Sequence, residues 1–170
     1  MVRVMSGAEI ARVLLRTAVG ATMIAHGLKH ARSLEGTARW FGSIGFRQPQ
    51  LQARASAVVE VGSGAALVVG AATPLAAAAV VGTMAVAART VHAPNGFFIT
   101  DEGWEYVATL SAASVAISAL GPGRFSLDRV AEDLAPGRPR PSALQRAALT
   151  AGLGMGAAAA QLAVFWRKPA

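Results

Sequence analysis

The sequence predicts an all-α membrane protein: a four-helix transmembrane bundle with an interfacial amphipathic helix and a fifth transmembrane helix at the C-terminal end. Three observations predict it. Apolar residues make up 54% of the 170 residues and charged residues only 15%, against about a quarter charged in an ordinary soluble domain. The apolar residues fall in blocks of about 20, the length that crosses a bilayer as a helix. Most of the Lys and Arg residues stand at the ends of those blocks, as lipid headgroups and the positive-inside rule favour.

The first block runs from Ala8 to Lys29, the second from Leu51 to Gly70, the third from Leu75 to Ala93 and the fourth from Glu105 to Gly121. Thr73-Pro74 forms the tight turn between the second and third, and Gly121-Pro122-Gly123 closes the fourth. Arg12 and Arg16 interrupt the place where a signal peptide would carry its apolar core, so the first block is read as a retained helix. The division that follows is a four-helix membrane domain over 1–130, a Pro/Arg-rich linker over 131–146 containing APGRPRP, and a fifth membrane helix over 147–170 with a basic end. In that last helix Gly152, Gly156 and Ala160 recur every four residues, spacing that lets another helix approach closely.

Two long connections separate the blocks. Between Ala31 and Gln50, Thr37, Trp40, Phe41 and Ile44 share one helical face, the pattern of a short helix lying in the membrane interface. Between Pro94 and Trp104, Phe97, Phe98 and Trp104 serve as interfacial anchors. Counting spans puts both connections on one side, opposite the N-terminus. Arg3, Arg124, Arg129, Arg138, Arg140 and Arg146 then lie on the cytoplasmic side, and Lys29, Arg32, Arg39 and Arg47 on the other.

Ionisable groups inside apolar helices cost about 2.5–3.5 kcal/mol each at the bilayer centre, which makes them informative. His26, Lys29 and His30 close the first helix; Arg54 opens the second, with Glu60 deeper. Arg89, His92 and Asn95 close the third, and Glu105 opens the fourth beside Trp104. Topology alone therefore gathers one polar cluster at one face. The candidate catalytic residues are His26, Glu60, His92 and Glu105, and the candidate cofactor-binding residues are Lys29, Arg89, Asn95 and Trp104. Each also has a bland reading: a histidine bonded to a carbonyl, Glu60 paired with Arg89, Arg54, His26 or a backbone group, Glu105 in a helix N-terminal turn, and the aromatics as belt anchors. Arg12 and Arg16 can extend to the opposite interface and need no function.

Several chemistries are excluded. With no cysteine there are no disulfides and no thiolate metal or redox sites. No phosphate-binding loop, HExxH, GxSxG or dinucleotide fingerprint is present. His26 and His30 have the spacing of a ligand pair, but Lys29 between them argues against it, and no metal is expected. The net charge of +7 forms no stripe, so no nucleic-acid partner is expected.

The stretches AHGLKH (25–30), GTARWFGSIGF (36–46), VVEVGSGAALVVG (58–70), VHAPNGFF (91–98), GWEY (103–106) and GPGRFSLD (121–128) together resemble the DoxX family of small membrane proteins, over roughly residues 8–130. The resemblance implies a four-helix bundle in a bacterial cytoplasmic membrane and an association with redox proteins, either thiosulfate:quinone oxidoreduction or oxidative-stress complexes. Its pattern falls on His26, Lys29, Glu60, His92, Asn95, Trp104 and Glu105. Two functions follow as expectations. One is a membrane subunit of a redox complex that interacts with quinone, with no covalent cofactor and with electrons supplied by a partner. The other is a non-catalytic anchor or accessory subunit that recruits a redox partner or packs in a larger membrane complex, itself or with further copies of the chain. A transporter is a weaker third reading, because no inverted repeat is visible.

Overall fold

The structure, a computed structural model, describes residues 5–137 and 139–169; Arg3 and Arg138, placed above on the cytoplasmic side, lie outside them. Helix α1 (Gly7–Arg32) starts on Ser6, whose Oγ accepts from the Glu9 N–H at 3.3 Å, and ends on Lys29, His30 and Arg32 at the negative end of the helix dipole. Helix α2 (Leu34–Ser43) buries Ala38 and Phe41 against α3 (Pro49–Val69) and leaves Trp40 exposed. This is the expected amphipathic helix. Gly70 ends α3 in the left-handed region, at φ 67°.

Helix α4 (Thr73–Ala87) follows Ala72, a non-glycine residue at φ 45°. Asp128 holds that turn: its carboxylate accepts from the Ala72 N–H at 2.6 Å and the Thr73 N–H at 2.8 Å, supplying the cap that the helix start lacks. The helical path continues through a π turn (Ala88–His92) and a 3-10 turn (Ala93–Asn95). Helices α5 (Glu105–Leu120), α6 (Leu127–Leu134) and α7 (Ala143–Phe165) complete the chain, the last opening on a reciprocal Ser142–Gln145 capping box. Among the described residues there is no strand beyond an isolated bridge between Phe46 and Trp166.

Helices α1, α3, α4 and α5 close a ring, each touching the next, and α7 lies in the groove along α4 and α5. Val19, Met23, Leu67, Ala77, Val80, Met84, Val107 and Ile117 fill the centre. The backbones come close at two places. A Cβ on Gly64 would lie 2.5 Å from the Gly20 carbonyl oxygen, and one on Gly154 would lie 2.7 Å from that of Ala78. The α1–α3 and α4–α7 contacts therefore depend on having no side chain there.

Two expectations need correction. On α7 the ladder that packs inward is Thr150, Gly154 and Ala158, all buried, whereas Gly152, Gly156 and Ala160 are exposed. Two residues amount to about 200° around a helix, so the two ladders face nearly opposite ways. The inner one prevails because the Thr150 hydroxyl lies 3.0 Å from the Pro74 carbonyl and 2.7 Å from Ser118 Oγ. The linker expected over 131–146 is partly helical. Helix α6 extends into it as far as Leu134 and presents Leu127, Val130 and Leu134 outward.

Among the described residues two helical stretches are long and apolar enough to cross a membrane, Thr73–Asn95 and Ala143–Phe165, and Glu105–Leu120 is apolar but shorter. Arg12 and Arg16 in α1, and Gln52, Arg54 and Glu60 in α3, lower the hydropathy of two helices that are otherwise long enough.

Candidate functional site

Glu60 is the most deeply buried acidic side chain among the described residues, at 3% exposure. It sits on the inner face of α3, one turn after Ser56. Ser56 Oγ donates to Glu60 Oε1, and His30 Nδ1 on α1 lies 3.0 Å from Ser56 Oγ and 3.3 Å from Glu60 Oε1. Glu60 Oε2 is buried and has no hydrogen-bond partner. A buried polar atom left unpaired is costly, so it marks either a compensation elsewhere or a place for a ligand.

A cavity of about 320 Å³ adjoins this group. His30, Ser56 and Glu60 line its polar end, and Phe41, Val86, Val91 and Phe165 line its apolar walls. Trp40, Leu51 and Val59, all more than 40% exposed, line it as well and form its outer rim. The π turn of α4 contributes Thr90 and Val91; widened turns of this kind occur often at functional sites.

Helix α7 completes the wall through Gln161 and Phe165. Gln161 donates to Gln52 Oε1 at 2.8 Å. Beyond the helix, the Arg47 N–H donates to the Phe165 carbonyl at 2.7 Å, the Arg167 N–H to Gly45 at 3.0 Å, and Trp166 Nε1 to Ile44 at 2.8 Å. The end of the fifth helix is thus stitched to the loop after α2.

The residues expected to form one cluster fall into separate groups. Glu60 lies inside the bundle, as its charge demands, but its partners are Ser56 and His30 rather than Arg89, Arg54 or His26. His26 is exposed, with its ring centroid 6.2 Å from that of Tyr106. His92, Asn95 and Glu105 organise the loop over 96–104: His92 Nδ1 lies 2.6 Å from the Glu102 carbonyl, Asn95 Nδ2 donates to the same carbonyl at 3.4 Å, and Glu105 Oε2 accepts from the Ile99 N–H at 3.0 Å. Trp104 stacks edge-on to Phe97 at 4.7 Å. Arg89 stands over the Trp166 ring at 4.7 Å, and Arg89 and Trp104 line a second groove of about 390 Å³ between α4 and α5. Lys29 and Arg54 are exposed. Among the described residues no group of His, Asp or Glu converges with metal-ligand spacing.

Sequence reasoning placed His30 on the polar face of α1 but left it out of the candidate set. His30 is near the end of α1 and Ser56 is in the first half of α3, and the packing of α1 on α3 brings the two side chains to 3.0 Å.

Residues 11–93 match the model of the DoxX family. The chain carries a DoxX domain. DoxX proteins are membrane-associated, in keeping with the two long apolar helices. No curated protein and no solved structure matches the chain. The DoxX match takes in α1 to α4 and the π turn, with His30, Ser56 and Glu60 inside it. GWEY and GPGRFSLD fall beyond it, as do α5, α6 and α7. Most of the cavity lining therefore falls within the matched segment, and the C-terminal helix adds a wall through Gln161 and Phe165.

Proposed function

We propose that this DoxX protein is a multi-pass subunit of a membrane redox complex in a bacterial cytoplasmic membrane, and that the cavity beside Glu60 receives a quinone headgroup. One observation carries the reading: a buried carboxyl with a free oxygen faces a cavity whose rim is apolar. A headgroup on an isoprenoid tail has matching chemistry, with a polar ring that goes in first and a greasy tail left among lipid chains. His30 and Ser56 orient the carboxyl, and Glu60 stands where a proton could be taken from or returned to the ring. With no cysteine in the sequence, the electrons are assigned to a protein partner.

Five spans fit this reading although, among the described residues, two helical stretches are both long and apolar enough to cross a membrane. The polar residues of α1 and α3 that lower their hydropathy include Arg16, Gln52 and Glu60, which are buried in the bundle. The faces turned outward carry Ile10, Leu14 and Leu28 on α1 and Leu51, Val58, Val59 and Val69 on α3. Helices of 26 and 21 residues span about 39 and 31 Å, enough for a hydrocarbon core of about 30 Å. Ser43→Cys and Thr100→Cys should then label from the same side of the membrane. Opposite labelling would remove the span count.

The anchor reading is favoured by one feature, the exposed outer face of α7 with Gly152, Gly156 and Ala160. Purification in mild detergent separates the two. Quinone retained by the wild-type chain and lost from Glu60→Leu supports the site. A co-purifying redox enzyme beside a bundle that retains no quinone supports the anchor.

A further inference from the structure

We propose that the Glu60 cavity selects the reduced, hydroxyl-bearing form of the ring over the oxidised form. This rests on the quinone-headgroup reading and adds to it a preference set by one atom. Hydrogen counting at the site gives the preference. The Ser56 hydroxyl has one proton and directs it to Glu60 Oε1. His30 Nδ1 faces the same two oxygens, Ser56 Oγ and Glu60 Oε1, so it too is placed as a donor. Both nearby donors thus serve one side of the carboxylate. Taken as a carboxylate, Glu60 only accepts, and its Oε2 has no partner.

A ligand satisfies Oε2 only by bringing a donor. The oxidised ring has carbonyl oxygens, which would face the carboxylate as acceptor against acceptor. The reduced ring carries hydroxyls, one of which can donate to Oε2 in a charge-assisted bond. The remaining lining does not favour the oxidised form: the N–H groups of Gln52 and Trp40 can donate to a quinol oxygen as well as to a quinone oxygen. Thr90 Oγ1 donates to the Val86 carbonyl at 2.9 Å, and Gln161 Nε2 donates to Gln52. Val59, Val86, Ala87 and Val91 add apolar wall. Shape admits both forms, and the unpaired oxygen separates them.

The test is equilibrium binding by isothermal titration calorimetry on the full chain in lipid nanodiscs. The ligands are a short-tailed ubiquinone, its quinol kept reduced under anaerobic conditions, and the dimethyl ether of that quinol. The ether is reduced but has lost its donors, so it isolates the hydrogen bond without any mutation. The quinol should bind about tenfold or more tightly than the quinone, as one hydrogen bond to a charged group predicts, and the ether should bind no better than the quinone. In Glu60→Gln, whose amide both donates and accepts, the preference should shrink to within about threefold. Equal or tighter binding of the quinone, or an ether that binds like the quinol, overturns the preference and leaves the headgroup site standing. Absence of binding by all three ligands removes the headgroup site and the preference together.

Discussion

The two ends of the bundle both hold buried charge, but they use it differently. At the end where α5 terminates, the arginines bond backbone through most of their N–H groups; Arg16 Nε is buried without a partner, and it is not among the groups lining the cavity beside Glu60. Arg16, 2% exposed, donates to the carbonyls of Pro122 at 2.6 Å and Phe125 at 2.5 Å. Arg12 donates to Leu120, and Arg146 to Ser118 and Ala119. Those are last-turn carbonyls that a helix end leaves open. Glu9 is also occupied, by Arg12 and by the Arg124 N–H. Arg12 and Arg16, expected to extend towards the interface on the N-terminal side, bond the GPGRF loop at that end of the bundle and tie it down. At the other end the buried charge is Glu60, with one oxygen bonded and one open beside a cavity. A charge committed to the chain's own carbonyls supports the fold, whereas a charge left half-bonded beside empty space can serve a ligand.

The comparison is sharpest in a pair of substitutions. Arg16→Ala leaves the Pro122 and Phe125 carbonyls without their donors and should cost about 3 kcal/mol or more, lowering the thermal midpoint in detergent and the yield of assembled protein. Glu60→Gln should leave assembly close to wild type, because the amide still bonds Ser56 and His30, while changing ligand binding. Glu60→Leu should be the less stable of the two Glu60 variants. A normal midpoint for Arg16→Ala would erase the distinction between the two ends.

The fifth helix offers a smaller effect of the same kind. Gly154→Leu places a side chain against the Ala78 carbonyl and Val81, an overpacking worth about 1–3 kcal/mol, and should loosen the cavity wall formed by Gln161 and Phe165. A Cβ added at Gly152 meets nothing within 4 Å, so Gly152→Leu should leave the isolated chain close to unchanged. If Gly152→Leu were instead to destroy a larger complex while the chain itself stayed folded, the outward face of α7 would be the partner surface.

Much of this was legible in the sequence. Block lengths placed the five long helices to within a few residues, because hydrophobic length is a one-dimensional property; Thr73 and Pro74, read as the turn, instead open α4, and the turn lies at 70–72. Burial of Glu60 was legible too, since lipid leaves a lone carboxylate no alternative. What could not be read were the rotations that choose between partners. Gly152 and Gly154 are both glycines in an apolar helix, and only packing against Ala78 decides which faces in. His26 and His30 share a helix face, but only His30 comes level with Ser56. Helix α6 was hidden because its eight residues follow a Gly-Pro-Gly turn and carry no apolar block; its signal was Leu127, Val130 and Leu134 at helical spacing after the Ser126 cap.

The smallest expected effect decides how much of the expected polar cluster acts chemically. His92 and Glu105 come from different helices at the same end of the bundle as Glu60, and topology alone would group them with it. Their bonds in the structure go to loop backbone: His92 to the Glu102 carbonyl and Glu105 to the Ile99 N–H. Neither lines the Glu60 cavity, whose wall on that side stops at Val91. His92→Ala should therefore cost about 1 kcal/mol through one lost hydrogen bond and speed hydrogen exchange over 96–104. Glu105→Gln should cost less, since the amide oxygen can still accept from Ile99. Neither should move quinol affinity by more than about twofold, because each acts through the loop and not on the ring. A proton route through these residues would behave in the opposite way, with the loop protected as before and quinone-linked electron transfer lost in both variants. Hydrogen exchange and ligand titration on the same two proteins distinguish the cases, because a clamp changes the first and a relay changes the turnover.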